Sequence, residues 1–154
     1  MKSIISKTFT LIAAAIALLS FTPNFGGEGF EISLNGKVVV QRYNKDLKEV
    51  QTLSLNGAAP TDVLSIRYYH CGKVAKDRVV TIKDAQDKVL KEFRFKDVSE
   101  QRGEMSCKVQ ELLNFKKGVN TALKLYYSSS ELPAGRLVAN VSFGANRDQA
   151  SIKK

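Results

Sequence analysis

Between Asp62 and Cys71 the chain alternates without a break. Leu64, Ile66, Tyr68 and His70 fall on one side, and Val63, Ser65, Arg67, Tyr69 and Cys71 on the other. A repeat of two marks an extended strand with one face on a core, and no 3.6-residue stripe fits the same residues. With no long amphipathic helix in the chain to cover it, that face has to be buried against further strands.

Such strands are legible on both sides. Residues 30–34 and 38–43 flank Asn35-Gly36, the dipeptide best suited to a two-residue hairpin turn. A strict turn there sets Ile32 and Leu34 on the side of Val39, with Val38 and Val40 opposite, so the second strand is either covered on both faces or bulged. A strand over 50–55 stops at Asn56-Gly57. Residues 78–83 and 89–96 form a second hairpin across 84–87, with Phe93 and Phe95 inward and Glu92, Arg94 and Lys96 outward. Further strands cover 105–109, 121–127 and 136–143, the last reached through a loop holding Pro133 and Gly135. Leu112 and Leu113 break the alternation, so 110–115 reads as one helical turn. These segments predict an all-β fold, an antiparallel β-sandwich of about eight strands. An immunoglobulin-like arrangement fits that count, although no Trp lies between the cysteines, and a closed barrel is the alternative.

The N-terminus has another texture. Lys2 and Lys7 flank the start of the chain, and the run from Phe9 to Phe21 is apolar apart from Thr10 and Ser20. This is the layout of an export signal, and the run stops before Pro23, short of the roughly 20 residues of a spanning helix. The expected organisation is a signal helix over 1–25 with its cleavage site between Ser20 and Gly29, one domain over 26–147, and a polar tail over 148–154. No cysteine sits near the junction, which excludes a lipid on a new N-terminal Cys. The expected location is periplasmic, cell-surface or extracellular, with membrane contact only through an uncleaved N-terminal segment.

Composition excludes several classes. With 44% hydrophobic and 25% charged residues the chain is neither a disordered tail nor a multi-pass membrane protein. The formal net charge of +9 falls to +7 once Lys2 and Lys7 are removed. A basic exported domain is biased towards anionic partners, here an acidic polysaccharide, an envelope surface or an acidic protein. No nucleic-acid-binding motif is present. Cys71 and Cys107 are the only cysteines, and an even pair in an exported chain predicts a disulfide, worth roughly 3.5–4 kcal/mol in the chain-entropy picture.

Catalytic signals are scarce. His70 is the only imidazole and lies on the apolar side of its strand, as a buried, hydrogen-bonded histidine does. One His and a bridged cysteine pair cannot supply four zinc ligands without recruiting carboxylates. Asp77, Asp84 and Asp87 lack calcium-loop spacing and read as turn formers. Acids on separate strands could make a hydrolase site, but nothing nominates a pair. The chain has no Trp to stack on sugars, leaving Tyr43, Tyr69 and Tyr126 for that role. No catalytic residue, cofactor or metal is assigned.

Strand parity turns Arg67, Tyr69, Arg94, Lys96, Lys108, Lys124 and Tyr126 away from the core. If they share one face, they form a candidate anion-binding surface of interleaved cations and aromatics. The leading expectation is an exported, non-catalytic binding, adhesion or envelope module. The alternatives are an inhibitor or accessory subunit presenting the loop 128–135, and a small hydrolase with a strand-distributed acidic site.

Overall fold

The computed structural model describes residues 27–144, so the expected signal segment 1–25 and tail 148–154 lie outside the described residues. In chain order the strands are β1 (Glu28–Leu34), β2 (Lys37–Tyr43), β3 (Thr52–Ser54), β4 (Val63–His70), β5 (Val79–Asp84), β6 (Val89–Arg94), β7 (Met105–Lys108), β8 (Ala122–Ser129) and β9 (Leu132–Ser142). A 3-10 helix (Asn44–Lys48) follows β2, and the expected helical turn is α1 (Gln110–Leu113). The strands form two sheets, ordered β2-β1-β4-β7 and β3-β9-β8-β5-β6. The chain is all-β. Ile32, Leu64 and Ile66 of the first sheet share one buried cluster with Ile82, Leu125 and Val141 of the second, and α1 adds Leu112.

Asn35 and Gly36 adopt φ of 50° and 79°, the left-handed pair that a type I′ turn demands. The β1–β2 register then slips, because Ile32 faces Val40 while Ser33 faces Val38. Val39 is the extra residue of a bulge. This resolves the parity conflict: Val40 enters the core, and Val38 and Val39 are exposed.

Three expectations need correction. The pairing is not wholly antiparallel, since β3 runs parallel to β9. These strands are not joined by a hairpin, and a long connection permits either direction. The loop expected around Pro133 and Gly135 belongs to β9. Both residues fall in a gap of the β8 ladder, between Ser129↔Leu132 and Tyr127↔Arg136, so Pro133 breaks no pairing and Gly135 takes a φ of 72°.

The third is the disulfide. Cys71 and Cys107 are free thiols. Cys71 sits with Gly72 in a tight turn, φ 48° and 87°, closed by a 2.9 Å bond from the Lys73 amide to the His70 carbonyl. Cys107 lies opposite Leu64, at the other end of β4. At about 3.3 Å per residue they are roughly 20 Å apart, whereas a bridge needs Cα atoms within about 7 Å.

Candidate functional site

The four-stranded sheet turns one face from the core, and its residues there form rows. Gly29 of β1 pairs with Tyr43 of β2 on one side and Tyr69 of β4 on the other. In the next row Glu31 stands between Gln41 and Arg67. Gly29 is what lets the tyrosines meet. A Cβ at that position would overlap the Tyr43 ring. In its absence Tyr43 stacks on Tyr69, with centroids 5.8 Å apart and planes at 29°.

Both phenols end on one acid. Tyr43 Oη donates to Glu31 Oε1 at 2.7 Å, Tyr69 Oη donates to Oε2 at 2.7 Å, and Gln41 Nε2 donates to Oε1 at 2.8 Å. Burial pushes the Glu31 carboxyl up, but these donors and the Arg67 charge outweigh it and hold the group below its ordinary value. The two phenols move the other way. Burial first, and then the Glu31 hydrogen bond, raises both.

The segment between β6 and β7 walls the tyrosine row. It is held by Arg78, which is only 5% exposed and donates to the Gly103 carbonyl at 2.8 Å and to the Lys96 carbonyl at 2.6 Å. Gln101 Nε2 donates to the Gly72 carbonyl at 2.6 Å, tying the same segment to the turn after β4. Arg102 is thereby carried over Tyr69, its guanidinium 5.2 Å from the ring centroid. Together with Asn44 these groups bound a cleft of about 420 Å³, within the size range of small-molecule sites.

The residues expected to form an anion-binding surface are not brought together. Arg67 and Tyr69 of β4 and Lys108 of β7 belong to the four-stranded sheet. Arg94 of β6, Lys124 and Tyr126 of β8, and Lys96 just after β6 belong with the five-stranded one. Several of these cations already face acids. Arg67 pairs with Glu104, Arg94 with Glu92 at 3.1 Å, and Lys124 with Asp87 at 2.9 Å. Tyr126 donates to Asp87 at 3.2 Å. Of the expected set only Tyr69 enters the cleft.

His70 points inward. Its Nε2 lies 2.9 Å from the Tyr127 hydroxyl and 3.2 Å from the Ser129 hydroxyl, and all three residues are under a tenth exposed. The Ser129–His70 contact resembles half of a nucleophile–base pair, but of these three residues only His70 borders the cleft, and Ser129 does not reach it. Asp84 is a turn former: its Oδ1 accepts the Gln86 and Lys88 amides, each at 2.9 Å. Among the described residues no group of His, Cys, Asp and Glu is placed to hold a metal ion.

Glu31, Gln41, Gln101 and Arg102 carry no motif and were not foreseen. A signal for two of them was present: once Val39 is removed from the count as a bulge, Gln41 and Tyr43 share the outward face of Glu31. No protein-family model and no curated protein matches the chain.

Proposed function

We propose that the two sheets are the layers of a β-sandwich and that the chain is an exported, non-catalytic module binding its ligand at the Tyr43–Tyr69 cleft. The observation that carries this is the Glu31 clamp. Two aromatic rings on a solvent-facing sheet are fixed in place by one carboxylate, beside a cleft of about 420 Å³. Fixed aromatic faces bind with little loss of side-chain freedom, which is how preorganised sites gain affinity. The apolar run behind Lys2 and Lys7 supports export.

The hydrolase alternative has less behind it. Glycoside cleavage needs one carboxyl group protonated near neutral pH. Glu31 and Glu104, which flank Arg67 on this face, are both held below their ordinary values. For Glu104 the leading cause is the Ser65 hydrogen bond. For the partner-subunit alternative, the segment expected to be a presented loop is a hairpin, and Glu131 at its tip is paired to Lys73 at 2.8 Å.

Two measurements test the proposal. Intact mass of the protein from its host's envelope or extracellular fraction should be lower than full length by about 2–3 kDa. Full-length protein confined to the cytosol overturns export. The chain has five Tyr and no Trp, and two of the five line the cleft, so the part of the tyrosine absorbance and fluorescence change that is lost in Tyr43→Phe reports on it. A chemically mixed panel of fragments and oligosaccharides that produces no Tyr43-dependent signal overturns the binding site.

A further inference from the structure

We infer that the cleft takes an uncharged oligosaccharide, with the apolar face of a pyranose ring packed against the exposed Tyr43 ring, which Tyr69 backs and Arg102 borders. This rests on the cleft being the binding site and adds the class of its ligand.

The lining chemistry selects among ligands. Apart from Tyr43 and Tyr69 the cleft is bounded by amides, one carboxylate, one guanidinium, glycines and His70, and no aliphatic side chain lines it. An acyl chain or other apolar ligand would find the two ring faces and nothing else to cover it. A polyanion would find the charge of Arg102 opposed by that of Glu31, which the surrounding donors keep ionised. The cations expected to extend such a surface lie on two different sheets. A sugar ring instead presents an apolar C–H face bordered by hydroxyls. The face matches a tyrosine ring. The hydroxyls match side chains that donate and accept in fixed planes, which the Asn44 and Gln101 amides do at the border of the rings, and Arg102 adds a planar set of donors.

The platform is also built rather than incidental. Gly29 opens the space for the Tyr43 ring, and a Cβ on Gly27 would likewise overlap the Asn44 amide. The Glu31 bonds draw the phenol oxygens to one side, so the ring planes are set before a ligand arrives. Tyrosine supplies such a surface at low entropic cost because it has only two side-chain torsions.

The test uses the full chain and amide-resolved NMR. Cello-, chito- and malto-oligosaccharides are titrated separately, with oligogalacturonate and a mixed fragment library as comparators. The expected result is that at least one uncharged oligosaccharide shifts the amides of Gly29, Gln41, Tyr43, Tyr69 and Gln101. Tyr43→Ala should weaken that binding about tenfold or more, equivalent to about 1.4 kcal/mol, while Tyr43→Phe retains most of it. Shifts there with oligogalacturonate or fragments, and with none of the uncharged sugars, overturn the ligand class and leave the binding-module reading standing. No shift with any probe overturns both. Unchanged sugar affinity in Tyr43→Ala overturns the inference, and should that variant fail to fold, Gln101→Ala takes its place with the same reading.

Discussion

Gly29 lies directly beneath Tyr43: the strand pairing places them opposite each other, and the ring occupies the volume that a Cβ on Gly29 would take. One missing side chain thus fixes the posture of an aromatic ring on the neighbouring strand. We predict that Gly29→Val expels the Tyr43 ring, separates it from Tyr69 and destabilises the protein by about 1–3 kcal/mol through overpacking. Near-UV circular dichroism should lose tyrosine signal in step with the fall in urea midpoint. A variant with wild-type spectrum and stability would show that the two rings are not held by this contact.

Glu31 binds the phenols only as a proton acceptor, which gives it an alkaline signature. Burial first, and then the Glu31 hydrogen bond and charge, raise both Tyr43 and Tyr69. We predict that Glu31→Gln, by removing the negative charge, allows both phenols to ionise at lower pH than in the wild type. Spectrophotometric titration of tyrosinate checks this. An unchanged or delayed titration in Glu31→Gln contradicts the clamp.

His70 contributes at the acidic end. Burial is the leading cause that lowers it, with Arg136 and Lys73 acting the same way and Glu28 and Glu131 acting against them. The folded state therefore resists the proton that the unfolded chain accepts near its ordinary pKa of about 6.5. Because the unfolded state binds more protons in that range, stability is full above about pH 6.5 and falls as pH drops towards the depressed folded value. The lowered carboxylates Glu31, Glu104 and Glu131 add their losses only further down, below the ordinary carboxylate value. We predict a fall in urea midpoint between neutral pH and about pH 5.5 that His70→Gln abolishes. A slope of the same size in His70→Gln assigns the effect to other groups.

Much of the fold was legible because alternation is a local property. The β4 face, the Asn35-Gly36 turn, the β5–β6 hairpin and the helical turn before Asn114 each follow from neighbouring residues. What escaped depended on residues distant in sequence. The cysteines gave only their number, while their separation is set by Cys71 leaving β4 at one end and β7 entering opposite Leu64 at the other. Outward parity identified the cations but not which sheet each belongs to, so the expected anion surface divided. The sequence offers Tyr43, Tyr69 and Tyr126 alike for stacking, and only the first two meet at the cleft. Glu31 was not foreseen, because its role depends on β1 running between β2 and β4, an order that no local pattern encodes.

The thiols offer a test of how β7 pairs with β4. Cys71 is exposed in its turn, whereas burial pushes the Cys107 thiol up to about 11, with Glu111 raising it further and Lys91 opposing. Since the thiolate is the reactive form, we predict that a maleimide modifies Cys71 first and Cys107 at least about tenfold more slowly in the native protein. Mass spectrometry after brief labelling distinguishes the sites. Recovery of an intrachain Cys71–Cys107 bond from native protein, without unfolding, would refute the strand arrangement between β4 and β7.

Arg78 joins the core to the cleft. It is buried, its guanidinium donates to the carbonyls of Gly103 and Lys96, and a Cβ on Gly103 would press on that same guanidinium. Lysine cannot replace it, since a single ammonium lacks the planar fork that reaches both carbonyls. We predict that Arg78→Met leaves the carbonyls without donors and costs about 2–4 kcal/mol, that Arg78→Lys recovers only part of this, and that Gly103→Ala loosens the same segment without touching the core. The distinguishing readout is hydrogen exchange. In both Arg78→Met and Gly103→Ala the Gln101 and Arg102 amides should exchange faster while those of Ile32 and Ile66 in Gly103→Ala keep wild-type protection. Ligand affinity at the cleft should fall in parallel, because the Arg102 guanidinium is positioned over Tyr69 only while this segment is held. If exchange at Gln101 and Arg102 is unaltered in both variants, Arg78 stabilises the core alone and has no part in shaping the cleft.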